Sequence, residues 1–125
     1  MRKTLTIEIR PLTRMLGDFR EAFTAAEQRR PFHRREGVYF TSIEAARNFL
    51  TRERLALLRV IRTRHPRSIY DLAKIADRDL KNVQQDVRLL ERHGLIHLTE
   101  KRRGRKSKVK VPVAPFEEIA LKIAI

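Results

Sequence analysis

RDLKNVQQDVRLLERHGLI, residues 78–96, is the stretch on which the fold turns. Leu80, Val83, Val87 and Leu90 recur at helical spacing, so one face of a helix over 79–93 is apolar. Gly94 follows where a left-handed C-cap is needed. The opposite face is of another kind. Lys81, Gln84, Gln85 and Arg88 stand at i, i+3, i+4 and i+7, with Asn82 beside them near the helix start. The acid in their midst, Asp86, is expected to pair with a neighbouring arginine and serve structure.

Upstream, a helix capped by Thr51 runs to about Arg64, with Leu55, Leu58 and Ile61 as expected core, helped by Leu57 and Val60. HPRS, residues 65–68, breaks the chain, and Ser68 caps the next helix, whose inner stripe is Ile69, Leu72, Ala73 and Ala76. Tyr70 is expected to be partly buried. The turn DRD, residues 77–79, leads into the opening stretch. Downstream, LIHLTE is extended, KRRGRKSK at 101–108 is too charged to pack, and VKVPV alternates. Strand, basic loop and strand make a β-hairpin, with Gly104 at the turn and Pro112 at an edge or strand end. Helix, turn, helix, strand, basic loop, strand is the order of a helix-turn-helix with a wing.

TLTIEI at 4–9 alternates as a strand. Pro11 opens a helix carrying Leu12, Met15, Leu16, Phe19, Ala22, Phe23 and Ala26, and 31–38 is a polar connection. A short helix then begins, with Thr41 as cap, Glu44 completing a capping box, and Ile43, Ala46, Phe49 and Leu50 facing inward. In the tail, Ile119, Leu121, Ile123 and Ile125 have period two, which favours a strand although a helix would tolerate it. The expected fold is mainly α with a β-wing (α+β): a winged helix-turn-helix over 41–113, an N-terminal strand and helix over 1–40, and a C-terminal strand over 114–125. The outer segments are expected to supply a dimer or partner surface.

Among 125 residues, 29 Lys and Arg face 15 Asp and Glu, a net charge of +14. Residues 51–125 hold 19 bases and nine acids, so most of the excess lies there. Such a field attracts polyanions, nucleic acid foremost, although a basic soluble or ribosome-associated protein carries a similar charge. There is no cysteine, which excludes disulfides and thiolate chemistry. No apolar run is long enough to span a membrane, and the basic N-terminus lacks the apolar core of a signal peptide. The expectation is a cytoplasmic, nucleoid-associated protein.

Amides and cations on one helix face suit the major groove, where Asn and Gln match adenine and Arg or Lys matches guanine. The site expected to touch bases is therefore Lys81, Asn82, Gln84, Gln85 and Arg88. The wing over 99–110 carries Lys101, Arg102, Arg103, Arg105, Lys106, Lys108 and Lys110, seven cations in ten residues. These are expected to set affinity and salt dependence on the DNA backbone. Ser68 and Arg78, at helix starts, are candidate phosphate contacts. A polar helix face is more often just solvated, and a basic loop alone also fits a disordered tail; their adjacency favours the DNA reading. His93 and His97 are separated by Gly94, so no metal site is expected, and no cofactor either. No Gly-rich phosphate loop, nucleophile elbow or carboxylate pair points to an enzyme.

Residues 50–98, LTRERLALLRVIRTRHPRSIYDLAKIADRDLKNVQQDVRLLERHGLIHL, resemble the winged-helix domain of MarR/ArsR-like transcriptional regulators. YFTSIEAARNFLTRERLALLRVI together with DRDLKNVQQDVRLLERHGLI resembles a narrower group of small archaeal and bacterial regulators, some similar to TumA-type antitoxins. The resemblance implies a homodimeric repressor on double-stranded, palindromic DNA. It carries DNA contact over to Lys81, Asn82, Gln84, Gln85 and Arg88, and the wing to Arg102, Arg103, Arg105 and Lys106. Two alternatives stay open: an antitoxin that neutralises a cognate toxin by direct binding, and a basic protein that binds nucleic acid without sequence preference.

Overall fold

The computed structural model describes residues 3–29, 37–105 and 107–125, with Arg103 described by its backbone alone. The fold is α+β, and the chain forms two compact units. One holds Leu50–Glu118 with the first residues up to Thr4; the other holds Leu5–Phe49 and Ile119–Ile125.

The larger unit is three helices and a hairpin. Helix α3 (Arg52–Arg64) starts at Thr51, whose side chain accepts from the Arg54 N–H. Helix α4 (Ile69–Ala76) starts at Ser68, whose hydroxyl accepts from the Asp71 N–H. The Asp71 carboxylate in turn accepts from the Arg67 N–H, so the two side chains tie down the helix start. Asp77, with φ 53°, ends α4 in the left-handed region. Three residues later α5 (Leu80–Arg92) begins, capped by Asp79, which accepts from the Asn82 N–H. Gly94, with φ 81°, stops α5 as its position in the sequence predicts.

The core of this unit is the meeting of the three helices. Val83, Val87 and Leu90 of α5 are fully buried, with Leu72 of α4 and Leu57 and Ile61 of α3, closed by Leu95 and Ile96. In α3 the deepest residue is Leu57; Leu55 and Leu58, expected as core, are only half-buried. Both stripes fit the periodicity, and only the direction of the neighbouring helices chooses between them. Tyr70 is 59% exposed rather than partly buried, its ring under the Lys74 ammonium at 5.2 Å.

Strands β3 (His97–Arg103) and β4 (Ser107–Val113) pair antiparallel, His97 opposite Val113 and Arg103 opposite Ser107. The hairpin is longer than the sequence suggests. Lys101, Arg102 and Lys108 lie on paired strands rather than in a loop. Cross-strand hydrogen bonding does not require apolar side chains when both faces stay wet. Arg62 fastens α3 to the end of β4, donating to the Ala114 carbonyl at 2.7 Å.

The smaller unit is built on a three-stranded sheet, order β2–β1–β5, from β1 (Thr4–Ile9), β2 (Val38–Phe40) and β5 (Glu118–Ile123). The tail is thus a strand. β1 and β2 run parallel, joined through α1 (Leu12–Glu27). Beside β5, the Glu117 N–H donates to the Lys3 carbonyl and the Ala124 N–H to that of Ile9. The bonds advance together along both strands, so these too run parallel. β2 has too few residues to show alternation and is not legible in sequence. Helix α2 (Ile43–Phe49) is capped by Ser42, which accepts from the Ala45 N–H, and not by Thr41. Ser42 directly precedes the first helical residue, where a cap must stand. Ala46 and Phe49 face inward as expected, but Ile43 is 45% exposed. Arg10 is buried, held by Glu8 at 2.7 Å and Asp18 at 2.6 Å, and stacks on Tyr39 at 5.0 Å.

Candidate nucleic-acid interface

Burying Val83, Val87 and Leu90 fixes which residues of α5 face outward. Lys81, Asn82, Gln85 and Arg88 are exposed, and Gln84 is half-buried at the margin. Lys81, Gln85 and Arg88 fall within about 60° of arc at roughly 100° per residue. Arg92 falls in the same arc and is exposed too, a member that the sequence reading left out. Its spacing of i+4 from Arg88 is the signal that finds it. The resulting row, Lys81–Gln85–Arg88–Arg92, spans the whole helix and holds no acid.

Asp86 lies off this row. Its side chain is 13% exposed, with Oδ1 accepting from Arg54 Nε at 3.1 Å and Oδ2 from Arg78 Nη2 at 2.8 Å. The expected structural pairing of Asp86 is present, with two arginines rather than one. The carboxylate links α5 to α3 and to the α4–α5 turn. Two expected phosphate contacts are accordingly engaged in structure. The Arg78 guanidinium turns to Asp86, and its Nη1 is buried without a hydrogen-bond partner among the described residues. Ser68 is the α4 cap. Terminal position in a helix does not reveal whether a side chain is already committed to an intramolecular partner.

On the hairpin, Lys101, Arg102, Arg105, Lys108 and Lys110 are exposed. The register divides them. Arg102 stands opposite Lys108, and Glu100 opposite Lys110, on one face; Lys101 stands opposite Val109 on the other. Glu100 also reaches Lys108 at 3.8 Å, both well exposed, a pair worth little in water. Lys106 and the Arg103 side chain lie outside the described residues. A groove of about 640 Å³ opens between the α3–α4 connection and the hairpin. Ile61, Pro66, Val109 and Val111 are among its apolar lining, and Arg67, Lys101 and Arg102 among its basic lining. None of its described lining residues is acidic.

His93 closes α5, and burial followed by the neighbouring Arg92 charge lowers its pKa from the ordinary 6.5. Well above 6.5 the ring is neutral in folded and unfolded chains alike, and contributes no pH dependence. As pH falls through 6.5 the unfolded chain takes up the proton first, so acidification favours unfolding until the folded ring titrates as well. The urea midpoint is therefore expected to fall between about pH 7 and pH 5.5, above the carboxylate range. His93→Gln should flatten that fall; an unchanged slope would assign the pH dependence to other groups.

Among the described residues, no helix is long and apolar enough to cross a membrane, and no group of three or more His, Asp or Glu is placed to hold a metal. The sequence model of the HVO_A0114 family matches residues 49–121, more than half of the chain, and the chain belongs to that family. No curated protein and no solved structure shows a significant match.

Proposed function

We propose that this member of the HVO_A0114 family is a winged helix-turn-helix DNA-binding protein, acting as a dimeric repressor of transcription. Helix α5 is the element that enters the major groove, and the β3–β4 hairpin is the wing. The observation that carries the reading is the acid-free row Lys81–Gln85–Arg88–Arg92, standing outward on a helix whose other side is locked into the core. Amide and guanidinium groups at that spacing match base edges.

The hairpin supports the same reading. Like charges directly opposite across a β-ladder are destabilising, yet Arg102 faces Lys108. That arrangement gains when a polyanion lies against it. One recognition helix reads only a few base pairs, so a two-fold dimer on a palindromic operator supplies the remaining specificity.

The test is fluorescence anisotropy on the duplex upstream of the protein's own gene, against a scrambled duplex, over a salt series. A preference of about a thousandfold that persists as salt rises is expected of a specific regulator. Equal binding that fails in parallel on both duplexes would mean charge alone at work. In that case the specific reading of α5 falls.

A further inference from the structure

The smaller unit is inverted in one respect. Ten large apolar side chains among the described residues are well exposed, and eight of them lie in this unit. Four sit on one helix: Leu12 at 58%, Leu16 at 56%, Phe19 at 71% and Phe23 at 59%. They fall within about 60° of arc on α1, a continuous stripe. The side of α1 turned to its own unit carries smaller groups. Ala25 is buried, Ala22 is half-buried, and Asp18 is engaged with Arg10. An isolated unit would place its Phe and Leu residues inward and leave the alanines out.

We propose that α1 is a contact surface for a second copy of this chain, the two helices packing antiparallel about a two-fold axis. Three features point to a second copy rather than an unrelated partner. First, the stripe reads the same in either direction, with steps of four, three and four residues. Antiparallel pairing then sets Leu12 against the partner's Phe23 and Leu16 against the partner's Phe19, a smaller side chain facing a larger one at every contact. Such self-complementarity is what a two-fold interface requires. Second, Leu12–Glu27 holds two arginines and three acids, net −1 in a chain of +14. Two copies can therefore meet along α1 without opposing positive fields. Third, taking roughly 200 Å² for an exposed Phe and somewhat less for Leu, the stripe offers on the order of 450 Å² per copy. A pair then buries about 900 Å², before any flanking residue is added, near the lower range of specific interfaces.

The inference deepens the regulator reading by naming the surface that joins its two copies. It rests on that reading only for its purpose, and its test involves no DNA. Sedimentation equilibrium of the full chain at tens of micromolar is expected to give twice the chain mass. Leu16→Lys and Phe19→Glu, each made alone, place a charge at the centre of the interface and raise the dissociation constant at least about a hundredfold. Both positions are exposed, so far-UV circular dichroism and cooperative unfolding should stay those of the parent. Mixing the two variants is the decisive arm. In an antiparallel pair the new lysine meets the new glutamate, while Phe19 of one copy meets Leu16 of the other, and the mixture regains the dimer mass. A monomeric parent overturns the proposal. So does a dimer that either variant leaves intact, or a mixture that stays monomeric.

Discussion

Asp86→Ala is expected to destabilise the three-helix unit by about 2–3 kcal/mol. The full loss on breaking a buried ion pair is about 3–5 kcal/mol, because the surviving partner is left uncompensated. Here Asp86, Arg54 and Arg78 retain 13%, 20% and 26% exposure, so solvent screens part of that loss. What remains is large because one carboxylate serves two guanidinium groups from two segments. Removing it takes that carboxylate from both, and Arg78 already has a buried Nη1 without a hydrogen-bond partner among the described residues. For a unit of this size the change amounts to a fall in melting temperature of roughly 10 °C or more. Urea denaturation followed by circular dichroism measures it. Asp86→Asn should lie between the parent and the alanine variant, since it keeps the shape and loses the charge. A change below about 0.5 kcal/mol for Asp86→Ala would put it in the range of ordinary surface substitutions. The orientation of α5 would then be set by apolar packing alone.

On the proposed reading, replacing Gln85 and Arg88 together by alanine abolishes sequence preference and leaves the fold intact. Each base contact of this type is worth about 1–3 kcal/mol. The pair should therefore weaken binding to the preferred duplex by roughly a hundredfold or more. Neither side chain supports the core, so the unfolding midpoint should not move. The scrambled duplex should lose little beyond the one charge of Arg88. Lys101→Ala with Arg102→Ala is the contrasting variant. It should weaken both duplexes alike and lower the slope of log affinity against log salt by about one per residue. Anisotropy across a salt series separates the two outcomes. If the hairpin variant loses the sequence preference and the α5 variant keeps it, the roles of the two elements are reversed.

The helices were legible because their causes are local. Leu80, Val83, Val87 and Leu90 share a face by spacing alone, and Gly94 stops the helix by backbone freedom alone. Thr51 and Ser68 cap because a hydroxyl reaches a free N–H three residues on. The exposed row on α5 follows from the same periodicity, which carries it one turn further to Arg92. Where structure departs from the sequence pattern, the causes are not local. Leu57 rather than Leu55 or Leu58 is deepest in α3 because of where α4 and α5 run. β2 exists because β1 is beside it. Lys101, Arg102 and Lys108 look like a loop in sequence and are strand because each has a partner opposite.

Residue spacing by itself determined the order of the helices and of every strand but β2, the outward amides and cations of α5, and the concentration of charge in the hairpin. These are properties of a segment and its neighbours along the chain. Tertiary structure alone decided which charged groups are committed. Arg78 and Arg88 look equivalent in sequence, yet one is held by Asp86 and the other stands in solvent. It also decided that the phenylalanines of α1 face outward while Ala25 faces in. Periodicity defines the apolar face of a helix, but only the surfaces that surround it determine whether that face is covered.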